Sequence, residues 1–448
     1  MPLSGIMEPA NRDIALIYVV QSEMMDGGVI ESQVIAPLRA QAAMSSQPRG
    51  RAVFLEAARV ALSPRARRTL ATLRSMWPEG RVALLPFVSR LGRRSPSAML
   101  ALHLLPVALK GRFPVFHCRG PAATITAHGA RERLGLGRVV YDLRGAHAEE
   151  TIHRLGHRWP EGLPPPVAAS YEKALEIERE AVQVADFVFA VSPGLRQYAV
   201  ERLGADPSQV AVVPSCVEET CFDEDRRTCL RKEWGIDQTA PVFVYSGRLG
   251  PERLPRLMLE ILAAAHRIDS RARLVLFTYL DELGREWLDS MRQELDLPEA
   301  AVIHETLSRD EVMTALSVGD FGFLLYQPAS RYRRFQAPIK VGEYLACGLG
   351  LIVNEGVGEV PQVVKRERIG WILGHDWTTD RLRNRVAAMV EELRSDGAAL
   401  RRRALATCSR ELLWRCHEVT LRSGYGLVPK LQDPSLVDLS ESYPERPR

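Results

Sequence analysis

A chain of 448 residues with 46% hydrophobic content holds enough apolar material for two or three domains, each with its own core. The charged fraction is 25% and the net charge only +4, an excess too small to make nucleic acid an expected partner. Seven cysteines are scattered without C-x-x-C or Cys/His ligand spacing, which argues for reduced thiols and against a structural zinc site.

The first residues, "MPLSGIMEPANRD", lack a basic segment followed by an apolar one, so no secretion signal is expected there. The best apolar run, "MLALHLLPVAL", contains His103 and Pro106 and falls well short of the about 20 residues that a spanning helix needs. The expected location is cytoplasmic, in solution or at the inner face of a membrane.

Along the chain, "DIALIYVV" reads as a buried strand. It leads into "MMDGGVIESQV", where Gly27 and Gly28 can bring backbone close to a ligand or simply form a loop. "RAVFLEA" is a second strand. In "LSPRARRTLATLRSMW", Leu62, Ala66, Leu70, Leu73 and Trp77 follow helical spacing, with Arg65, Arg67, Arg68 and Arg74 around them. Such a basic amphipathic helix can lie on anionic lipid or pack on its own sheet. "RVALLPFV" is a strand, and Ser95-Pro96 reads as the cap and first residue of the following helix.

"FPVFHCRG" and "GRVVYDLRGAHAEE" are strands that carry His117, Arg119, Asp142 and Arg144 to their carboxyl ends. A histidine at a strand end is either a ligand-facing group or a structural one. Asp142 and Arg144 either face an acceptor or pair with each other to brace the turn. Glu149 and Glu150 fall on a first helical turn, where acids suit the helix dipole. "ADFVFAVSP" and "VAVVPS" complete a first set of strands, with Ser192-Pro193 opening a helix that Gly204 is expected to close.

The polar stretch that includes Asp223–Asp225 reads as a linker, and its acidic run as a solvated turn rather than a metal-binding D-x-D. Strands then resume with "PVFVYSG", "RLVLFTYL", "AAVIHETL", "FGFLLYQP" and "LGLIVNEG". Residues 379–423 read as one or two helices. Continuous apolar strands alternating with helices indicate α/β architecture with parallel sheets covered on both faces. The expected division is an N-terminal Rossmann-like domain over 11–218, a linker over 219–239 and a C-terminal Rossmann-like domain over 240–405. A helical segment over 406–430 and a disordered tail over 431–448 complete it.

The most informative turn is "SGRLGPER". Gly247 lets backbone approach a ligand, and Arg248 and Arg253 supply permanent cations where a strand gives way to a helix. These suit a phosphate or diphosphate, although two arginines beside Glu252 can also be ordinary surface residues. A complete G-x-G-x-x-G is absent from the strand–helix turns, which disfavours dinucleotide redox chemistry.

"SGRLGPER" resembles the G-R-L-x-x-x-K turn of family 4 glycosyltransferases, with Arg253 in the lysine position. "APIKVGEYLACGLGLIV" is similar to the same family's P-x-K-x-x-E-Y-L-A segment, with Lys340, Glu343 and Gly348 in place and Gly350 where a proline is usual. The segment from Ala185 to Phe222 resembles the family's crossing segment. Many members carry E-x7-E; Glu343 supplies the second glutamate and Phe335 stands at the first. A subset of bacterial polysaccharide and glycoconjugate enzymes with K-x-x-E-Y-L-A also lacks it and is the closer likeness.

The resemblance implies a GT-B fold, two Rossmann-like αβα domains facing a cleft, with a C-terminal helix returning to the N-terminal domain. It implies metal-independent, retaining transfer of a hexosyl group from a nucleotide-sugar substrate, UDP- or GDP-linked, to a saccharide or lipid-linked hydroxyl, without a separate cofactor. Arg248 and Arg253 would neutralise the leaving diphosphate, with His117 orienting a sugar or hydroxyl. Gly247, Lys340, Glu343 and Gly28 would serve the donor, the loop "QPASRYRRFQAPIK" would carry backbone donors near its phosphates and sugar, and Arg119, Asp142 and Arg144 would serve the acceptor side. A sugar-nucleotide epimerase and a noncatalytic nucleotide- or partner-binding relative are the alternatives.

Overall fold

Short runs of β-branched and aromatic residues, each followed by a helix, leave parallel pairing as the way to bury both faces of every strand. The computed structural model describes residues 14–24, 30–35, 38, 50–78, 80–88, 90, 92, 94–213, 215, 221–327, 331–374 and 379–408. The first sheet contains β1 (Ile14–Gln21), β2 (Arg51–Ala57), β3 (Arg81–Phe87), β4 (Phe113–Arg119), β5 (Arg138–Leu143), β6 (Phe187–Ala190) and β7 (Val210–Val212). Its order is β3-β2-β1-β4-β5-β6-β7. The second contains β8 (Val242–Ser246), β9 (Arg273–Phe277), β10 (Val302–Glu305), β11 (Phe321–Leu324), β12 (Gly350–Asn354) and β13 (Gly370–Leu373). Its order is β10-β9-β8-β11-β12-β13.

All pairings are parallel, as the continuous apolar strands predict. In both sheets the chain runs outward from a first strand, then returns to build on its other side. The two resulting switch points, between β1 and β4 and between β8 and β11, are where an open α/β sheet opens a crevice for ligands. In the first, Val20 of β1 pairs with Arg119 of β4, and Arg119 pairs with Asp142 of β5. Register thus brings the candidates Arg119 and Asp142 side by side at one end of the sheet.

The helices mostly follow their sequence signals. Ser192 caps Pro193–Glu201 by accepting from the Leu195 N–H at 3.1 Å, and Gly204 turns left-handed just beyond it. Ser95 does not act as a cap: its helix already runs from Arg94, and its Oγ accepts from the Val88 N–H at 3.1 Å. The basic helix Pro64–Met76 buries Ala66 and Leu73, with Trp77 beyond its end, against its own domain, while Leu62 remains exposed. Its apolar face is therefore occupied from within. Among the described residues no helix is long and apolar enough to cross a membrane.

The segment expected to link the domains contains a helix instead. Asp223 accepts from the Arg226 N–H at 3.0 Å and caps Glu224–Glu233. Arg227 and Arg231 anchor this helix on the second sheet. Arg231 is fully buried and donates to the carbonyls of Val318 and Ala240 at 3.0 Å each. Arg227 donates to the Gly319 carbonyl at 2.6 Å. Both guanidiniums reach Asp320, at 2.6 and 3.0 Å, and Arg401 approaches it at 3.6 Å. Composition alone made the stretch look like a linker because its cations are numerous; their burial was not visible. The long helix Thr379–Cys408, kinked at Asp396, packs through Leu382, Val386 and Met389 against the helix Pro255–Ile268. The expected return of a C-terminal helix to the first domain and the expected tail fall largely on 409–448, outside the described residues.

Removing one partner from a buried ion cluster leaves the others uncompensated, a loss of about 3–5 kcal/mol. Asp320→Ala should lower the stability of the full chain by that amount in urea denaturation. A loss under about 1 kcal/mol would mean that Asp320 does not hold the 224–233 helix to the sheet.

Candidate active site

The turn after β8 is built around a glycine. Gly247 has φ +105°, and a methyl group there would stand 3.0 Å from Lys340 Nζ. Its N–H donates to the Phe277 carbonyl at 2.8 Å. The preceding Ser246 N–H donates to the Tyr344 hydroxyl at 3.0 Å, and the Tyr245 hydroxyl donates to the Arg248 carbonyl at 2.6 Å. Pro251–Arg253 form one 3-10 turn, Leu254 adopts φ +51°, and the helix proper begins at Pro255. Arg253 therefore stands one turn before the helix rather than within it. The Gln327 N–H donates to the Glu252 carbonyl at 2.9 Å, so the turn is stitched to the chain leaving β11 across the switch point.

Cations gather here. Arg253 Cζ lies 4.3 Å from the centre of the Tyr326 ring, and Arg333 Cζ lies 4.8 Å from the same centre. Lys340 Nζ sits 5.7 Å from the Tyr245 ring centre. Burial, reinforced by the charge of Arg253, lowers the Lys340 pKa to about 8 despite Glu343 nearby. Glu343 in turn is raised by burial, against the pull of Arg309 and Lys340. Arg309 approaches Glu343 at 3.8 Å, and Arg253 approaches Glu252 at 3.6 Å. Arg248 shares the turn, but its side chain is exposed. An apolar cavity of about 550 Å³ adjoins the turn, lined by Leu249, Leu254, Leu280 and Trp287 among others. Arg253, Arg333 and Lys340 do not line it, so the cationic site is separate.

The first domain brings its own candidates together around Asp142, which is 3% exposed. Its Oδ2 accepts from the Tyr18 hydroxyl at 2.9 Å and meets His117 Nε2 at 3.3 Å and Arg144 Nε at 3.7 Å. Burial pushes the Asp142 carboxyl up, but Arg144, His117 and Arg119 together hold it well below its usual range. The His117 ring stacks on Tyr18 at 4.2 Å. Arg119 donates to Glu23 and to Gln33 Oε1, each at 2.7 Å. Asp142 and Arg144 thus pair, the bracing alternative, and Asp142 orients His117.

The two domains meet through the chain after β11. Ser192 Oγ donates to the Phe335 carbonyl at 3.0 Å, and the Phe335 ring lies 5.0 Å from Tyr198. Arg331 pairs with Glu149 at 3.3 Å, and Tyr332 stacks on His153 at 5.1 Å. Glu149 is more than a dipole partner, since it receives an arginine from the other domain. Beneath the contact Glu178 accepts from the Tyr198 hydroxyl at 2.7 Å and from the backbone N–H groups of His147 and Ala148.

Gly247, Arg253, Lys340 and Glu343 are therefore brought together, as are His117, Arg119, Asp142 and Arg144. Gly28 lies outside the described residues. Sequence reasoning missed Tyr18, Tyr326, Arg309 and Arg333. Tyr18 had a signal, a hydroxyl within an otherwise apolar strand that needs a partner once buried.

Residues 278–392 match the family model "Glucosyltransferase 3-like, C-terminal domain". An alpha-maltose-1-phosphate synthase of Mycolicibacterium smegmatis is 26% identical over 262 residues, 55% of this chain and 65% of that protein. A D-inositol 3-phosphate glycosyltransferase of Geodermatophilus obscurus is 34% identical over 86 residues, 19% of each chain. The chain thus spans less than two thirds of the length of these curated relatives. Anabaena HepE in complex with UDP superposes with a TM-score of 0.64 at 13% identity, covering 93% of this chain and 100% of that one. WaaG, a glycosyltransferase involved in lipopolysaccharide biosynthesis, gives 0.53 at 13% identity over 90% and 98%. The fold is GT-B, the two-domain arrangement of these neighbours.

Asp142→Ala should cost about 3–5 kcal/mol at neutral pH, because it strands the Arg144 charge beside His117. The folded pKa of Asp142 is depressed, so its contribution is present above its unfolded value and is lost as pH falls through the folded one. Urea titrations should show the gap between wild type and variant narrowing under acid conditions. A gap that stays constant would remove the ionised carboxylate from the account.

Proposed function

We propose that this chain is a retaining glycosyltransferase that moves a sugar from a nucleoside-diphosphate donor to a hydroxyl group in polysaccharide or glycoconjugate assembly. The observation that carries the reading is Lys340 packed against Gly247, with Arg253 close enough to bear on its charge, at the switch point of the second sheet. Fixed cations there answer the charge that builds on a leaving diphosphate, the kind of preorganised stabilisation that most accelerates such a step. The relatives named as glycosyltransferases support it. UDP, bound by the Anabaena neighbour, is the first nucleotide to test, with GDP next.

In this reading the bond from the anomeric carbon to the β-phosphate oxygen breaks with its electron pair left on oxygen. The acceptor oxygen bonds to the same carbon, and its proton passes to the departing diphosphate. Lys340 and Arg253 hold that diphosphate, exposed Arg248 reaches it from the same turn, and Glu343 accepts from the ribose hydroxyls. His117, held by Asp142 and stacked on Tyr18, orients the sugar or the acceptor from the first domain. The acceptor is a saccharide or a lipid-linked one, and the chemistry needs no separate cofactor.

A second reading, a noncatalytic nucleotide binder, draws on Phe335, which turns into the first domain where the resemblance expects a sugar-binding glutamate. Acceptor-dependent sugar transfer decides between the two. Conversion of the nucleotide sugar without acceptor would instead indicate an epimerase.

A nucleotide at about 100 times its dissociation constant should add about 2.7 kcal/mol of stability in a thermal-shift assay. Silence with UDP, GDP, ADP and their sugars would defeat the donor site. Arg253→Ala should weaken the diphosphate about 10- to 100-fold, the scale of one charge-assisted hydrogen bond.

The pH response follows from Lys340. Free protein holds this lysine protonated below about 8, and the diphosphate binds the protonated form. Affinity should therefore fall as pH rises through about 8, with proton uptake on binding in calorimetry there. Lys340→Arg, which does not titrate in this range, should flatten the profile. An unchanged slope in that variant would assign the titration elsewhere.

A further inference from the structure

Arg333 is the most anomalous side chain of the cleft. It is 4% exposed, yet among the described residues no carboxylate is in ion-pair reach of it. Its Nη1 donates to Gln336 Oε1 at 3.0 Å, its one side-chain hydrogen bond among the described residues. The guanidinium otherwise rests near the rings of Tyr326 and Tyr332, at 4.8 and 5.4 Å. Burial, and the like charge of Arg253 beside it, disfavour its protonated form, against the more distant pull of Glu252. A buried cation without an anion is among the costliest arrangements a fold can hold.

The neighbouring charges sharpen the point. Glu343 is answered by Arg309 and Glu252 by Arg253. Lys340 and Arg333 remain, both close enough to Arg253 to feel its charge. The cluster is thus short of two negative charges on one side of Tyr326 or the other. The diphosphate bridge of a sugar nucleotide carries two negative charges on two phosphorus centres, and so can meet Arg333 and Lys340 at once.

The position of Arg333 is set from two directions. Its carbonyl accepts from the Gly358 N–H at 3.0 Å. On either side of it, Arg331 pairs with Glu149, and Phe335 lies against Tyr198, both in the first domain.

We propose that Arg333 is a third cation for the donor diphosphate, held over Tyr326 by the docking of residues 331–337 on the first domain. The inference rests on the donor-site reading above and adds a residue outside both motifs that suggested it. As the glycosidic bond breaks, charge grows on the β-phosphate, and Arg333 meets it from the loop side while Arg253 and Lys340 meet it from the turn and the helix.

The test compares nucleoside di- and monophosphates of the same base by calorimetry on the full chain. Arg333→Gln should weaken the diphosphate about 10- to 100-fold and leave the monophosphate within about threefold. Arg333→Met, an apolar replacement suited to burial, should give the same pattern without lowering the melting temperature of the free protein. A structural arginine would behave differently, with a lowered melting temperature and equal effects on both nucleotides. Equal effects, or none on either nucleotide, in whichever variant folds would overturn the proposal. Failure of the wild-type chain to bind any nucleotide would instead remove the donor site itself, an outcome distinct from a wild type that binds and a variant that binds equally well.

Discussion

Positive charge without matching carboxylates, buried where β8 and β11 release the chain, is the constraint around which the second domain is organised. The same domain shows that it can neutralise buried arginines when that is all that is required. At the opposite ends of these strands Asp320 takes Arg227, Arg231 and Arg401 into one cluster and holds the Val242 N–H as well. That end is closed and serves stability. At the carboxyl ends, Arg253 answers Glu252 and Arg309 answers Glu343, which leaves Lys340 and Arg333 in excess. The contrast within a single sheet separates arginines gathered on one carboxylate from a cluster that holds more cations than carboxylates.

Holding cations close together requires rigid supports, and the surrounding contacts supply them. Tyr344 fixes Ser246, Tyr245 fixes the Arg248 carbonyl, and Asn354 exchanges hydrogen bonds with both backbone groups of Tyr326. Tyr344 and Tyr245 thus brace the turn, while the rings of Tyr326 and Tyr245 lie near the guanidinium and ammonium groups. An aromatic face is attracted to a cation without neutralising it. It therefore tolerates the charge in the free protein and leaves it available to a ligand.

Much of this architecture was legible in the sequence, for identifiable reasons. Twelve of the strands were visible because each writes a run of apolar and β-branched residues, most of them buried on both faces. The strand Gly370–Leu373 escaped because its short apolar run is set among charged neighbours. The Gly247 turn and the Lys340 helix were legible because motif spacing preserves them. The run "RYRRF" was legible as part of a loop near the phosphates, but the roles of its side chains were not. Arg331 pairs with Glu149, Arg333 lies buried on Tyr326, and Arg334 is exposed beside Trp159. Nothing local distinguishes these three arginines; their roles come from what two distant domains present to them. The same holds for the linker reading of 219–239, where burial of Arg227 and Arg231 depends on carbonyls about ninety residues away.

Phe335 shows how a single departure from a motif can redistribute work within a site. A glutamate at this position would face the cleft with a charge to satisfy. Phenylalanine carries no such demand and packs among Leu195, Tyr198 and their neighbours, while its carbonyl accepts from Ser192. Ala337 follows it, with its carbonyl accepting from Ser215 at 3.3 Å. The loop is thereby fastened to the first domain by apolar burial and two hydroxyls instead of being left to close on a sugar. Gly358, at φ +50° and too close to the Gln336 carbonyl for a side chain, clamps it from the other domain. A loop so held places Arg333 over Tyr326 in the free protein. Under the donor-site reading, the site gives up one contact to the sugar and gains a preorganised charge at the diphosphate, where interactions strengthen as the bond breaks rather than beforehand.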